Sequence, residues 1–546
     1  MKRTIFVLLF SFLTTISFSQ TVYKWRVYLK DKNGSAYSVS NPTQYLSQRS
    51  IDRREKQGIS IDNTDLPVNS VYVSQILSTG VTYICKSKWL NTVVVEGDST
   101  QMLAIKNKSF VSSVKMVYNP NPGRFTENRK FEEESNYTST ETDYGVANYQ
   151  IEMLNGKFLH NAGYKGEGML IAVMDAGFPE VNTQAAFKHL WDNNRVVAYW
   201  DFVDRDNSIF EGSSHGLNVA STMAAKSGDL FTGTAPEASY MFFRTEDAPT
   251  ENLVEEDYWV AAAEMADSIG ADIFNTSLGY TTFDDTLMNF KYSDMDGNTT
   301  FITRGADMAA KKGIIAVNSA GNSGSSPWYY IGAPADGDSV FAIGAVGIDE
   351  TAAPFTSKGP TYSGKQKPNV SALGWGSAIL VNGGGAVYGN GTSFSSPIMA
   401  GMVACFWQAF PELNNYEVMR AVESCSHLYP NPDYNVGYGI PDFSKCFLEQ
   451  WQIKIKNEED QIVRYFPNPF SDNLSLIYYS TEEEQIYVDL MDVTNKVIVT
   501  QNKGVGKDSY NFISFNNLAN LEDGIYFLRV RTSKSKFVKK VVKMVE

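Results

Sequence analysis

Three short motifs hold side chains that together could carry out nucleophilic catalysis. Asp175 lies in VMDAGF, His215 in SSHGLNVAS and Ser393 in GNGTSFSSPIMAG. A serine hydroxyl is a weak nucleophile at neutral pH, so a neutral imidazole must accept its proton and a buried carboxylate must fix the tautomer of that imidazole. Each motif alone is typical of a turn, a structural histidine or a helix cap. The three together favour Ser393 as nucleophile, His215 as base and Asp175 as the partner of that base.

Continuous apolar runs separated by helical patterns must position these side chains. The predicted strands are MLIAVMD (169–175), ADIFNTSL (271–278), GIIAVNSAG (313–321) and VFAIGAV (340–346), and helices are predicted near 254–268 and 303–312. This alternation indicates an α/β fold with a doubly wound parallel sheet covered on both faces. Ligands bind beyond the carboxyl ends of such strands. We therefore expect the site at Asp175, Asn275 to Gly279 and Ser319 to Asn322.

Two of the motifs open predicted helices. His215 begins HGLNVASTMAAK, and Ser393 begins the long apolar segment SFSSPIMAGMVACFWQAF. The free N–H groups and the dipole at a helix N-terminus favour developing negative charge. Glycines flank both motifs and would permit a peptide to approach closely; they are Gly212, Gly216, Gly389 and Gly391.

Length, composition and charge limit the class of protein. At roughly 150 residues per domain, 546 residues predict three or four domains, and 43% apolar with 20% charged residues is a globular composition. A net charge of −14 argues against a nucleic-acid partner. Lys2 and Arg3 precede the apolar run 5–18, which is typical of a secretory signal peptide and too short to span a membrane. We expect a protein that is secreted or on the outer cell surface after export through the periplasm.

The sequence pattern divides the chain into six segments. We predict a signal peptide at 1–19, a small α+β domain at 20–120, a linker at 121–143, the α/β domain at 144–447, a second linker at 448–464 and a small β-sandwich at 465–546. Four cysteines are too few for a disulfide scaffold. Cys425 and Cys446 are the pair expected to form a bridge, because Cys405 lies in the helix that begins at Ser393 and is expected to be a buried thiol.

Over roughly residues 144–447 the motifs resemble those of the subtilisin-like serine peptidases, or subtilases. The segment SAGNSG (319–324) is similar to the one that supplies the oxyanion-hole asparagine, which implies that role for Asn322. The segment NTSLGY (275–280) is similar to the strand that pairs with the substrate backbone and walls the primary specificity pocket. This implies substrate-binding roles for Ser277, Leu278 and Gly279. The resemblance implies a serine endopeptidase that hydrolyses proteins or peptides through an acyl-enzyme intermediate.

The chain departs from the family pattern at a few positions. Ala176, Asn218 and Ser221 stand where the family usually has Ser or Thr, a second His, and Gly. None of these replaces a proton-transfer residue. The stretch KSGDLFTG (226–233) lacks the longer Asn-rich loop that holds calcium in many relatives. The resemblance therefore implies no required cofactor; a structural calcium ion stays open but is not indicated. We expect a monomer.

The two flanking units also resemble domains found in secreted peptidases. Residues 20–120 resemble subtilase propeptides, which template folding and then occupy the cleft; an accessory domain is the alternative. Residues 465–546, with YFPNPF (465–470) and GIYFLRV (524–530), resemble the sorting domains read by the type IX secretion system. That resemblance implies the secretion machinery as a partner, while an adhesive or carbohydrate-binding sandwich is the alternative.

One alternative concerns the activity of the whole protein. A subtilase scaffold can lose its activity and serve as a binding or adhesion protein at the cell surface. Such a loss normally shows as replacement of the Ser, His, Asp or oxyanion Asn, and this sequence retains all four. The enzyme is therefore preferred.

Overall fold

The computed structural model describes residues 21–122, 135–136, 144–228, 230–454 and 460–544. The predicted signal peptide and most of the first linker lie outside this range. Within the described residues, no helix is long and apolar enough to cross a membrane.

The N-terminal unit is a four-stranded antiparallel sheet with three helices. Its elements are β1 Tyr23–Leu29, α1 Gln48–Lys56, α2 Ser70–Leu77, β2 Thr82–Ser87, β3 Thr92–Gly97, α3 Ser99–Lys106 and β4 Val111–Tyr118. The strand order is β2-β3-β1-β4. One face of the sheet packs on α2 and α3 around the buried side chains of Val27, Ile76 and Ile105. The unit has the predicted α+β character and a core of its own.

The central unit is built on seven parallel strands. It begins with β5 Ser135–Asn136, α4 Asn148–Glu152, α5 Lys157–Asn161, β6 Leu170–Asp175, α6 Lys188–Asp192, β7 Val196–Asp201, α7 His215–Ala224, β8 Lys226–Ser227, β9 Phe231–Thr232, β10 Ser239–Arg244, α8 Glu255–Ile269, β11 Ile273–Thr276 and α9 Phe301–Lys311. It continues with β12 Ile315–Ser319, β13 Phe341–Val346, β14 Val370–Leu373, β15 Trp375–Leu380, β16 Ala386–Asn390, α10 Thr392–Ala409, α11 Asn415–Ser424 and α12 Phe443–Lys454. The sheet order is β14-β13-β12-β11-β6-β10-β7.

Both faces of this sheet are covered by helices, as the sequence predicts. Along β6, Ile171 and Val173 contribute to the core under α7 and α10. Their neighbours Ala172 and Met174 contribute to the opposite core under α8 and α9. Because successive side chains of a strand point to opposite faces, a strand buried on both sides must be apolar throughout. The fold prediction of a doubly wound parallel sheet is therefore confirmed.

The strands differ in extent from the sequence prediction. The runs predicted at 271–278 and 313–321 form strands only over Ile273–Thr276 and Ile315–Ser319. Their last residues leave the ladder to form the loops at the carboxyl edge. The sheet also contains β7, β10 and β14, which we did not predict. β7 is only half-buried and β14 has only four residues, so the hydrophobic pattern of these two segments is a weak strand signal.

The C-terminal unit is a sandwich of two antiparallel sheets. Its strands are β17 Gln461–Phe466, β18 Leu474–Ser480, β19 Glu484–Met491, β20 Val497–Val505, β21 Ser509–Phe515, β22 Gly524–Arg531 and β23 Lys536–Lys543. Three form a sheet in the order β17-β18-β21, and four form a sheet in the order β20-β19-β22-β23. Alternate residues such as Leu476, Val488 and Leu528 are buried between the sheets, as the period-two pattern predicts.

The C-terminal unit also contacts the central unit. The rings of Phe466 and Phe512 lie 6.0 Å and 4.9 Å from that of Phe158 in α5. The guanidinium of Arg464 lies 4.5 Å from the ring centre of Tyr164. These contacts join the units through aromatic packing rather than through any residue of the predicted site.

The N-terminal unit binds α8 through buried ion pairs. Asp267 in α8 accepts from Arg53 at 2.5 Å and from Arg54 at 2.9 Å, and all three side chains are buried. Burial alone would raise the pKa of Asp267, but Lys88, Arg54 and Arg53 together hold it well below its ordinary value. On the same helix, Asp257 pairs with Arg26 at 2.6 Å. The N-terminal unit contributes the arginines of this interface and α8 contributes the carboxylates. Either set of charges would be costly to bury without the other.

The cysteines behave as the sequence analysis expects. Cys425 at the end of α11 and Cys446 in α12 form a disulfide. Cys405 in α10 is a buried free thiol, and burial raises its pKa well above the ordinary value of a thiol. The disulfide prediction is confirmed.

Candidate active site

The predicted aspartate and histidine meet at the carboxyl edge of the sheet. Asp175 is the last residue of β6, and His215 is the first residue of α7. His215 Nδ1 and Asp175 Oδ1 are 2.8 Å apart, and both side chains are buried. After β6 the chain leaves to the edge strand β7, whereas β11 and the strands after it lie on the other side of β6. Such a reversal of strand order is where open α/β sheets place their sites.

Ala176, one of the departures from the family pattern, directly follows Asp175 and bears on the hydrogen bonds of its carboxylate. Asp175 Oδ1 accepts from the Ala176 N–H at 2.7 Å as well as facing His215. Asp175 Oδ2 is buried and has no hydrogen-bond partner within the described part of the chain. Alanine at 176 carries no hydroxyl that could donate to it. The pairing with His215 therefore carries a larger share of the charge stabilisation of this carboxylate.

The other two departures form hydrogen bonds that fix α7 against β15. Asn218 Nδ2 donates to the carbonyl of Leu380 at 2.8 Å. Ser221 Oγ accepts from the Leu380 N–H at 3.0 Å and donates to the carbonyl of Asn218 at 2.6 Å. These substitutions therefore hold the helix that carries His215 and do not contact the reacting groups.

Ser393 lies in the first turn of α10, where its N–H has no intrahelical acceptor. Its hydroxyl donates to the carbonyl of Ser277 at 3.2 Å. Pro397 lacks the N–H that would bond to the Ser393 carbonyl, and Ser277 Oγ donates to that carbonyl instead, at 2.8 Å. The ring of Phe394, the next residue, lies 6.2 Å from that of His215. The helix start thus brings Ser393 to the edge occupied by His215 and Asp175.

Asn322 faces the same edge with its amide orientation set by two donors. Asn322 Oδ1 accepts from Thr392 N and Thr392 Oγ1, both at 2.9 Å. A backbone N–H can only donate, so the atom it meets must be the amide oxygen. Gly391 has a φ of 149°, and a Cβ there would lie 3.4 Å from Asn322 Nδ2. The Nδ2 group is therefore turned toward the backbone just before Ser393.

The predicted substrate-binding residues line a cavity with these two side chains. Ser277, Leu278 and Gly279 follow β11, and the cavity of about 230 Å³ also contains Asn322 and Ser393 in its lining. The Leu278 carbonyl accepts from Asn318 Nδ2 at 3.1 Å, which fixes this segment to β12. All seven residues predicted for the site thus lie at one edge of the sheet. Their catalytic and binding roles stay a prediction.

Sequence reasoning missed an acidic wall of this cavity. Glu246 and Glu251 line it and are buried. Together with Glu255 they are a group of three carboxylates able to approach a common cation. In the sequence they occur in TEDAPTENLVEED (245–257), which looks like a solvated acidic loop. Only the packing of that loop against the segment after β11 reveals that these glutamates face the cavity.

Comparison with protein families assigns each unit. The subtilase family matches residues 166–439. The Peptidase S8 propeptide domain of Bacteroidota matches residues 24–135. The secretion system C-terminal sorting domain matches residues 464–544, which indicates secretion to the cell surface or beyond.

Individual relatives agree with the central assignment. Subtilisin E of Bacillus subtilis is 29% identical over 295 residues, covering 52% of this chain and 68% of the relative. Subtilisin DY of Bacillus licheniformis is 29% identical over 278 residues, covering 50% of this chain and 90% of the relative. Serine protease AprX of Bacillus subtilis is 26% identical over 303 residues, covering 50% of this chain and 64% of the relative. The chain belongs to the subtilase family of serine-type peptidases, with an N-terminal propeptide domain and a C-terminal secretion sorting domain.

Proposed function

We propose that this protein is a secreted serine endopeptidase that cleaves protein substrates through Asp175, His215, Ser393 and Asn322. The observation that carries the proposal is the buried His215–Asp175 pair, 2.8 Å apart, beside the helix start that holds Ser393. An inactive binding protein would have no need to keep this pair and the nucleophile at one edge.

The reaction begins at the Ser393 hydroxyl. Its present bond to the Ser277 carbonyl is 3.2 Å long, and the reaction requires Oγ to leave this acceptor for His215 Nε2. Catalytic hydrogen bonds are often loose before substrate binds. His215 then accepts the proton as Oγ attacks the peptide carbonyl, and Asp175 stabilises the imidazolium through Nδ1–H. His215 returns the proton to the leaving amine, and water releases the acyl group from Ser393 by the same steps.

Two donors stabilise the oxyanion that forms in each step. Asn322 Nδ2 is turned toward Gly391, and the Ser393 N–H lies in the first turn of α10, where it has no acceptor within the helix. Donors fixed before the reaction need no reorganisation as the charge develops.

Replacing Asn322 should lower kcat and leave KM nearly unchanged, because the lost bond is made mainly in the transition state. For Asn322→Ala we expect a loss of about a hundredfold to a thousandfold, a magnitude taken from the equivalent loss in subtilisin, a relative. Steady-state kinetics on a chromogenic peptide measure both constants.

The matched variant Asn322→Asp separates catalysis from folding. Aspartate keeps an oxygen that accepts from Thr392 N, replaces the donor by a second acceptor and adds a negative charge that repels an oxyanion. It should lose at least as much kcat as the alanine variant while retaining the wild-type melting temperature. An unchanged kcat in either variant would remove Asn322 from the site.

A fluorophosphonate probe tests the proposed function directly. Such probes react with a serine only when a base and an oxyanion hole activate it. We expect stoichiometric labelling of the mature enzyme, with the modified peptide containing Ser393, and no labelling after Asp175 or His215 is replaced. Absence of labelling in folded, mature protein would favour the inactive binding protein.

The sorting domain should act in export and not in hydrolysis. Deletion of residues 465–546 removes the packing on Phe158 but none of the proposed catalytic residues. We expect the truncated protein to cleave peptides and to remain in the periplasm. Cell fractionation with a peptidase assay on each fraction measures both outcomes.

Phe512→Ala is the control for this deletion. It removes one aromatic contact with Phe158 and keeps the sorting domain, so it should be exported normally. Normal amounts of the truncated enzyme outside the cell would instead favour the adhesive sandwich.

A further inference from the structure

Three buried glutamates are grouped at one wall of the cleft; Glu246, Glu251 and Glu255 are hereafter the glutamate trio. One carboxylate oxygen of each lies within 4.8 Å of the others. The exposed fractions of Glu246, Glu251 and Glu255 are only 1%, 8% and 1%. Glu246 and Glu251 line the same cavity as Ser393 and Asn322. Two members of the trio are therefore part of the surface that a bound substrate would meet.

Neighbouring groups hold the trio in place. Glu255, at the start of α8, accepts from the N–H groups of Asp247 and Asn252, both at 2.7 Å. The hydroxyl of Tyr280 donates to Glu246. Burial and the carboxylates of Glu246, Glu255 and Glu251 raise the pKa of Tyr280 well above its ordinary value, so this hydroxyl keeps its proton.

Charge decides which substrate side chain suits this wall. Three carboxylates so close together in a poorly solvated site repel one another and attract a cation strongly. A neutral or acidic side chain would gain nothing there or would be repelled. Lysine and arginine have stems long enough to reach such a wall while the backbone lies elsewhere in the cleft.

The chain's own linker begins near this wall and includes individual cationic residues. Before the undescribed stretch, Asn119 Nδ2 donates to Asp285 at 2.9 Å. The adjacent Asp284 accepts from the N–H of Glu251 at 3.1 Å, so this end of the linker lies beside the trio. After the stretch, β5 pairs with β16, which leads directly to Ser393. The intervening sequence contains three cationic residues, Arg124, Arg129 and Lys130, together with four glutamates, Glu127 and Glu132 to Glu134.

The order of these two ends gives the direction of the peptide. Asn119 lies on the side of the trio, and β5 lies on the side of β16 and Ser393. A substrate bound in the same direction meets the trio with residues that precede its scissile bond. We propose that the glutamate trio makes this peptidase selective for substrates with arginine or lysine shortly before the scissile bond. The proposal rests on the proposed function and names the substrate class of that same site.

Paired peptides that differ only in one charge test the selectivity. In each pair, one of the four positions before the scissile bond carries arginine or citrulline, its neutral isostere. At one of these positions we expect kcat/KM to be about tenfold to hundredfold higher with arginine, the range of one desolvated charged contact. Glu251→Gln and Glu246→Gln should each remove most of this difference. Two variants are used so that a folding defect in one leaves the other informative.

The control variant is Glu350→Gln, which removes one exposed negative charge outside the cavity lining. It should keep the full preference for arginine. The rate of fluorophosphonate labelling of Ser393 should equal that of the wild type in Glu350→Gln, and labelling should persist in both glutamine variants of the trio, because the probe carries no cation.

The outcomes separate this proposal from the proposed function. Equal cleavage of arginine and citrulline peptides at every position, or a preference that survives both glutamine variants, would overturn the selectivity while labelling of Ser393 persists. The trio would be assigned to a metal ion instead if a chelator abolished wild-type cleavage, Ca²⁺ restored that cleavage, and the activity of Glu251→Gln responded to neither. Failure of labelling would count against the peptidase itself.

Discussion

Ser393→Ala is expected to hydrolyse no peptide above background and to keep residues 20 to about 140 attached to the rest of the chain. The nucleophile that attacks substrates should also attack the chain's own linker, so one substitution removes both activities. In subtilisin, a relative, loss of the serine lowers kcat by about a millionfold. Peptide hydrolysis and the mass of the purified protein measure the two effects.

Ser395→Ala is the matched control. Ser395 lies on the same turn of α10, and its hydroxyl donates only to the carbonyl of Thr392, at 3.1 Å. It should mature and cleave peptides at nearly the wild-type rate. If Ser393→Ala matures normally, another protease processes the precursor; if it still cleaves peptides at the wild-type rate, the assignment of the nucleophile is wrong.

Asp175→Asn should give the second largest loss, about ten-thousandfold in kcat/KM. The amide is nearly isosteric but neutral, so it no longer stabilises a protonated His215, and its N–H₂ can face Nδ1 and hold the wrong tautomer. An amide nitrogen at the position of Oδ1 also loses the bond that Oδ1 accepts from the Ala176 N–H, at a cost of about 1 kcal/mol. Kinetics and a thermal melt should show a strong loss of activity with a small change in stability.

Asp349→Asn serves as control for this substitution, since Asp349 is exposed and lies in the turn after β13. Activity of Asp175→Asn within about tenfold of wild type would mean that His215 does not depend on this carboxylate.

The site residues could be found from the sequence because each lies in a short motif at the end of a regular element. Asp175 ends an apolar strand, and His215 and Ser393 begin helices, as the structure has them. Local pattern also predicted the continuous strands of the sheet interior. Edge strands such as β7, which are only half-buried, give a weaker hydrophobic signal.

Features that depend on long-range packing could not be found in this way. The glutamate trio has the composition of a solvated loop, and its burial depends on Tyr280 and α8. Arg53 and Arg54 belong to a helix that reads as polar, yet both are buried against Asp267, more than two hundred residues away. The local sequence pattern around a charged residue is the same whether its side chain faces water or forms a buried ion pair.

The buried ion pairs between the N-terminal domain and α8 also limit which propeptides can serve which subtilases. Arg26, Arg53 and Arg54 fit a partner that places carboxylates at the positions of Asp257 and Asp267. A catalytic domain with apolar residues there would leave each arginine buried without a counter-ion, at a cost of about 3–5 kcal/mol. The N-terminal domain should therefore be poorly exchangeable between relatives. The two domains should therefore change together over evolutionary time, even where the proposed cleavage of the linker ends their covalent connection.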